Sequence, residues 1–193
     1  MDTILRGGAG AVESKCATKF PASDTSMHIS GIIHPYSRTA CFFRMIITKR
    51  LEFDAGHRIP NHQSKCRHLH GHRYALEVTL SGKVIDQEGG SDEGMVMDFS
   101  EVKAIANRCV VEPWDHAFLV YAGDSEVRGF LASLPNHKTV VLNRVPTAEN
   151  LALEAFALLD KAYQDSYGTG LRLERVRLYE TPNSWADALR SEA

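Results

Sequence analysis

The sequence predicts an α+β domain, an antiparallel sheet with two helices on one face. Three observations lead to it. Residues 45–54 and 72–84 alternate apolar and polar side chains, the period of a half-buried strand. Residues 100–110, and the stretch that opens at Pro146 and Thr147, repeat apolar side chains at helical spacing. Residues 171–181 alternate again, so the coarse order is strand, strand, helix, helix, strand, with small extras.

Residues 1–44 are rich in Gly, Ala, Ser and Thr and hold no sustained period. They read as a disordered or non-native extension, with a transit peptide as the alternative. His28 and His34 lie there and are not expected to be ligands. The domain is expected over 45–193, and Met45 is a candidate initiator.

The strand at 45–54 is expected to pair with the strand at 72–84 as an antiparallel ribbon. In the second strand Tyr74, Leu76, Val78 and Leu80 share one face, and Arg73, Glu77 and Thr79 the other. Residues 86–94 form a polar, Gly-rich loop. In the helix at 100–110, Val102, Ile105, Ala106, Cys109 and Val110 form the apolar stripe, with Asp98 or Ser100 as N-cap. A small helix at 125–134 and a strand at 138–142 occupy a long connection, 122–145. Thr147 then caps the second helix, with Glu149 in its first turn, where the helix dipole favours an acid. Leu151, Ala155, Leu158 and Ala162 are its expected buried face. In the last strand Leu173, Arg175, Arg177 and Tyr179 alternate with Val176, Leu178 and Glu180.

A chain of 193 residues suits one domain, or a small domain with an extension, and 44% hydrophobic residues suffice for a core. The net charge of −2 argues against a nucleic-acid or membrane-surface binder. No apolar run reaches transmembrane length. Four cysteines without a Cys-x-x-Cys pair, and no secretion signal, fit a reducing cytoplasmic setting.

The chemistry concentrates in one stretch. Five of the nine histidines, His57, His62, His68, His70 and His72, lie within residues 57–72, together with Cys66. Imidazole and thiolate are the preferred ligands of zinc and related metals. His70 and His72 are two apart on a strand, so they share a face, and Gly71 between them adds no bulk at the metal. His57 is the best third ligand, brought back over the pair by the polar loop that follows it. Three histidines and an open position describe a catalytic zinc site. Cys66 as fourth ligand would close a structural site instead, and a metal-free His-rich loop is the third possibility.

The pattern resembles the 6-pyruvoyl-tetrahydropterin synthase and 6-carboxy-tetrahydropterin synthase superfamily. The matching pieces are Phe53-Asp-Ala-Gly-His57, Cys66-x-x-x-His70-Gly-His72-x-Tyr74, Gly94-Met-Val-Met-Asp98-Phe99, Asp115-His116, Pro146-Thr147-Ala-Glu149-Asn150 and Glu180-Thr181. They follow the family's order over about residues 45 to 189. The short gap from Cys66 to His70 looks more like the bacterial carboxy enzyme of queuosine biosynthesis.

The resemblance implies the tunnelling fold, in which subunits join their sheets into a barrel as a homohexamer. It implies Zn²⁺ held by His57, His70 and His72, with a dihydropterin triphosphate as substrate. Cys66 would be the general base, its thiolate favoured by zinc, Lys65 and Arg67. Asp115 and His116 would complete a proton relay that depends on local turn geometry and on a neighbouring subunit. Glu180 would anchor the pterin by two hydrogen bonds, with Glu149 and Thr147 as further substrate contacts. Arg58, Lys65, Arg67 and Arg73 are candidates for the triphosphate, while His62 and His68 face solvent. The implied activity is a lyase that eliminates triphosphate and releases acetaldehyde. A pyruvoyl synthase that stops at elimination, and a noncatalytic zinc or pterin binder, are the alternatives.

Overall fold

The computed structural model describes residues 44–191. The extension expected at 1–44 therefore lies outside the described residues, apart from Arg44. Strands β1 (Met45–His57) and β2 (His70–Gly82) form an antiparallel hairpin paired along its whole length, from Met45 opposite Gly82 to His57 opposite His70. Both strands run further toward the loop than the alternation alone suggested. Alternation sends Leu51, Phe53, Ala55 and His57 to the buried face of β1, and Tyr74, Leu76, Val78 and Leu80 to that of β2.

The helix expected at 100–110 forms, with a π-turn in its second half. Asp98 caps α1 (Phe99–Ala106), its carboxylate accepting from the Ser100 N–H at 2.7 Å. A π-turn at Asn107–Val111 and the single turn α2 (Glu112–Trp114) carry the chain on. Pro113 cannot donate to the helical ladder, and Trp114 plugs the core at 2% exposure. Cys109, expected inside a helix core, is only half-buried against it.

Strand β3 (Ala117–Tyr121), helix α3 (Ser125–Ala132) and strand β4 (Thr139–Leu142) follow. Helix α4 (Ala148–Tyr167) buries Leu151, Ala152, Ala155, Leu159 and Tyr163. Leu158 is exposed and Ala162 only partly buried. The buried stripe climbs in steps of four, so it drifts away from the expected position 158 to Leu159. Strands β5 (Leu171–Thr181) and β6 (Ser184–Leu189) close the chain.

The sheet order is β4-β3-β1-β2-β5-β6. Strands β1, β2 and β5 are the antiparallel sheet the sequence predicts, and β6, not expected from the sequence, extends it beyond β5. At the other edge β3 and β4 add on in parallel, which connections through helical segments allow and a hairpin does not. A bulge shifts the β2–β5 register between Thr79 and Leu80. Leu173 thereby joins Val176 and Leu178 in the core, instead of siding with Arg175 and Arg177. Helices α1 and α4 cover one face, and their apolar stripes close a single core with Leu51, Phe53, Leu76 and Leu178. No helix among the described residues is long and apolar enough to cross a membrane.

Candidate metal centre

The three histidines meet because of hairpin register. Opposed residues of an antiparallel pair point to the same face, and the pairs are Ala55 with His72 and His57 with His70. The polar loop is not needed to fold His57 back, because β1 runs straight to it. Each imidazole offers a nitrogen within 4.8 Å of the other two. Cys66 is outside that grouping, so the described residues favour the open three-histidine set over a closed site with a thiolate.

Second-layer bonds set the tautomers. His57, fully buried, has its Nδ1 2.7 Å from the Pro146 carbonyl oxygen. A carbonyl only accepts, so Nδ1 carries the proton. Burial lowers the His57 pKa, the largest of its influences, so the ring is neutral and Nε2 presents a lone pair. His70 Nδ1 donates in the same way to the His68 carbonyl at 2.8 Å. Burial also holds His72 neutral. The Nε2 atoms of His57 and His72 are buried without a hydrogen-bond partner among the described residues. An orphaned buried lone pair is costly, and a cation shared by these two nitrogens and the His70 imidazole would remove the cost. The donor set therefore fits a zinc-type ion.

Glu180, at the end of β5, brings Oε1 to 3.6 Å from His57 Nε2. Its negative charge adds to the pull on a cation. Tyr74, read from the sequence as strand core, has a fully buried ring and a hydroxyl with no hydrogen-bond partner among the described residues. Burial first, then the charges of Glu180 and Cys66, push its pKa up, so the hydroxyl stays protonated. Cys66 lies half-buried on a 3₁₀ turn at Lys65–Arg67, and its carbonyl accepts from the Ile59 N–H at 2.8 Å.

Gly71 has a different purpose from the one the spacing suggested. A Cβ there would lie 2.9 Å from the Ala55 carbonyl oxygen, on the face away from the histidines. The glycine lets the two backbones approach; it does not clear space at the metal.

Asp115 and His116 form a second, separate grouping with Asp54. They sit at the turn into β3, where His116 has φ 56°, the left-handed region that a non-glycine residue enters rarely. That turn lets neighbours in sequence touch: His116 Nδ1 lies 2.9 Å from Asp115 Oδ2. Asp115 Oδ1 accepts the Asp54 N–H at 2.9 Å, and that bond, ahead of His116, holds its carboxyl below the usual range. Lys138 braces the turn from the Asp115 and Glu112 carbonyls at 2.7 and 2.6 Å. The imidazole of His116 is 77% exposed. Among the described residues no hydrogen bond joins it to Cys66.

Thr147 caps α4, its hydroxyl accepting from the Asn150 N–H at 3.4 Å. Asn150 Nδ2 donates to the Val145 carbonyl at 2.9 Å, and together these bonds fix the carbonyl of Pro146 between them. Glu149 is exposed in the first turn of α4. His62 and His68 face solvent, as do Lys65 and Arg67. Arg73 is engaged by Asp54 at 3.1 Å and Arg58 by Asp124 at 2.6 Å, which leaves neither guanidinium free in this chain. Sequence reasoning missed Tyr74 and the Pro146 carbonyl. Tyr74 stood in the histidine motif, but a carbonyl carries no side-chain signal.

Comparison with known proteins shows a shared family and fold. Residues 46–191 match the family model described as 6-pyruvoyl tetrahydropterin synthase. A Rickettsia bellii protein named 6-carboxy-5,6,7,8-tetrahydropterin synthase is 40% identical over 144 residues, covering 72% of this chain and 96% of that one. A Haemophilus influenzae protein of the same name is 35% identical, covering 73% and 96%. The solved 6-pyruvoyl tetrahydropterin synthase of Caenorhabditis elegans superposes with a TM-score of 0.55 at 25% identity, over 78% of this chain and 98% of that one. An uncharacterized Wolinella succinogenes protein shares the fold with a TM-score of 0.63 at 24% identity, over 77% and 99%. The chain belongs to the 6-pyruvoyl tetrahydropterin synthase family.

Proposed function

We propose that this chain is a zinc-dependent 6-carboxy-5,6,7,8-tetrahydropterin synthase acting on 7,8-dihydroneopterin triphosphate. The observation that carries the reading is the buried triad His57, His70 and His72, with two orphaned Nε2 atoms and Glu180 beside them. The names of the relatives at 35–40% identity support the carboxy product. A zinc ion bound there would polarise the side-chain oxygens of the substrate and acidify the neighbouring C–H and O–H groups.

The chain's own residues would do the rest. Glu180 accepts two hydrogen bonds from the amidine-like edge of the pterin. Cys66, as thiolate, takes a proton from the side chain. His116 moves the second proton, its ring oriented by Asp115. Thr147 and Glu149 border the pterin. Triphosphate leaves with its bonding electrons, and the side chain is oxidised as the ring is reduced. Carbon–carbon cleavage then releases acetaldehyde. The carbon that becomes carboxylate starts with one oxygen, so the second comes from water. Because Asp115–His116 and the triad are separate groupings, the relay is completed by a second copy in a homo-oligomer, a hexamer in this reading. The setting is cytoplasmic queuosine biosynthesis.

The test is turnover of dihydroneopterin triphosphate by zinc-loaded protein, with products identified by mass spectrometry and Cys66→Ala in parallel. Carboxy-pterin and acetaldehyde, lost in the variant, are expected. A pyruvoyl product would move the chain to the sister activity, and bound pterin without turnover would make it a binding protein.

A further inference from the structure

We infer that Asp124 is a positioning residue for the histidine centre, acting through Arg58 to hold the end of β1 and with it the His57 ring. The inference rests on the metal reading of the triad. His57 is the last residue of β1, paired with His70 of β2 on one side and Leu119 of β3 on the other. The chain leaves the sheet directly after it, and a ligand ring must be held to within roughly half an ångström. Arg58 is the next residue. Its Nε and Nη2 donate to the two carboxylate oxygens of Asp124, both at 2.6 Å, with Glu126 further out at 3.4 Å. The Asp124 side chain is 3% exposed and that of Arg58 20%.

Forked, charge-assisted bonds of this length are among the strongest a protein makes, yet burying the charges costs free energy that a surface helix does not require. Asp124 is itself immobilised. Its carboxylate accepts from the Val127 N–H at 3.3 Å, and its own N–H donates to the Tyr121 carbonyl at 2.9 Å. At Gly123 a Cβ would lie 2.4 Å from the Tyr121 ring, so the turn closes with no room for a side chain. The other end of the same segment supplies the Pro146 carbonyl to His57 Nδ1. The long 122–146 connection thus grips the first ligand from both ends, by backbone at Pro146 and by charge at Asp124.

The experiment uses the full chain with cobalt as zinc substitute. Cobalt and zinc affinities are measured by chelator competition, the cobalt visible spectrum is recorded, and thermal denaturation of the metal-free protein is followed. The variants are Asp124→Asn, Asp124→Ala and Arg58→Gln. Asp187→Asn is the control, because Asp187 makes a similar fork to Arg177 at 2.7 Å far along the sheet. The expected result is a 10- to 100-fold loss of affinity (about that of other second-layer changes) and an altered spectrum in the Asp124 and Arg58 variants. Asp187→Asn should lower the melting temperature and leave both metal readouts unchanged. Affinity within about twofold of the parent and an unaltered spectrum in Asp124→Asn would overturn the positioning role, whatever its melting temperature. Should Asp124→Ala not fold, Asp124→Asn and Arg58→Gln, which keep the side chain's bulk, decide. A parent protein that binds no cobalt would instead overturn the metal reading.

Discussion

Tyr74→Phe should make the metal-free protein more stable, against the usual direction of core substitutions. The ring would be kept, with its stack on Phe53 at 5.3 Å between centroids and its edge contacts to His57 and His72. Only the hydroxyl would go, and that hydroxyl is buried with no hydrogen-bond partner among the described residues. An unsatisfied buried polar group costs about 1–3 kcal/mol, so unfolding should become harder by about that much. For a folded part of this size each kcal/mol is worth about 2–4 °C, which gives a rise of about 2–12 °C. Urea and thermal denaturation at fixed protein concentration, with chelator present, would measure it; fixed concentration matters because subunit association adds to apparent stability. A fall of about 1 kcal/mol or more would refute the reasoning, since it would mean the hydroxyl is satisfied in the folded protein. A rise in stability together with a loss of turnover would identify the hydroxyl as a group kept for the reaction at a cost to the fold.

Gly71→Ala should destabilise by about 1–3 kcal/mol, since its Cβ meets a carbonyl that cannot step aside. Gly56→Ala, whose closest contact is the Phe118 side chain at 2.7 Å with the His70 carbonyl at an ordinary 3.4 Å, should cost less, and denaturation curves compare the two. Leu159→Ala should cost about 2–5 kcal/mol and Leu158→Ala under about 1, which urea titration would check as a test of which face α4 buries. The Arg58 side chain, chiefly by its hydrogen bonds, holds the Asp124 carboxyl below the usual range. Its contribution is therefore complete above the ordinary carboxylate pKa of about 3.9 and is lost as pH falls through the lower folded value. Asp124→Asn should cost about 1.5–3 kcal/mol at neutral pH. That gap should narrow below about pH 4 in a pH series of urea midpoints; a gap that widens there would contradict the sign.

Much of the site was legible before any coordinates. The alternation around His70 and His72 put both imidazoles on one face, and His57, just after the run at 45–54, was legible as the third, although the polar loop rather than the strand was expected to place it. The caps at Asp98 and Thr147 were legible for the same reason: a short polar side chain ahead of a helical period has few other uses. Strand β6 was not. Its inward residues are Ala186 and Ala188, too small to mark a core face, while Trp185 and Leu189 point outward. The parallel placement of β3 and β4, and the bulge that brings Leu173 inward, depend on partners far along the chain.

Sequence by itself determined which faces of β1 and β2 turn to the core and which residue types could hold a metal, because both follow from local period and chemistry. Tertiary structure alone decided what stands behind each ligand. The Pro146 carbonyl that sets the His57 tautomer is 89 residues away, and Asp124, which holds Arg58, is 66 away. A backbone carbonyl is the same at every position, and a lone aspartate resembles any helix cap. Their roles appear only when packing brings them to His57 and Arg58.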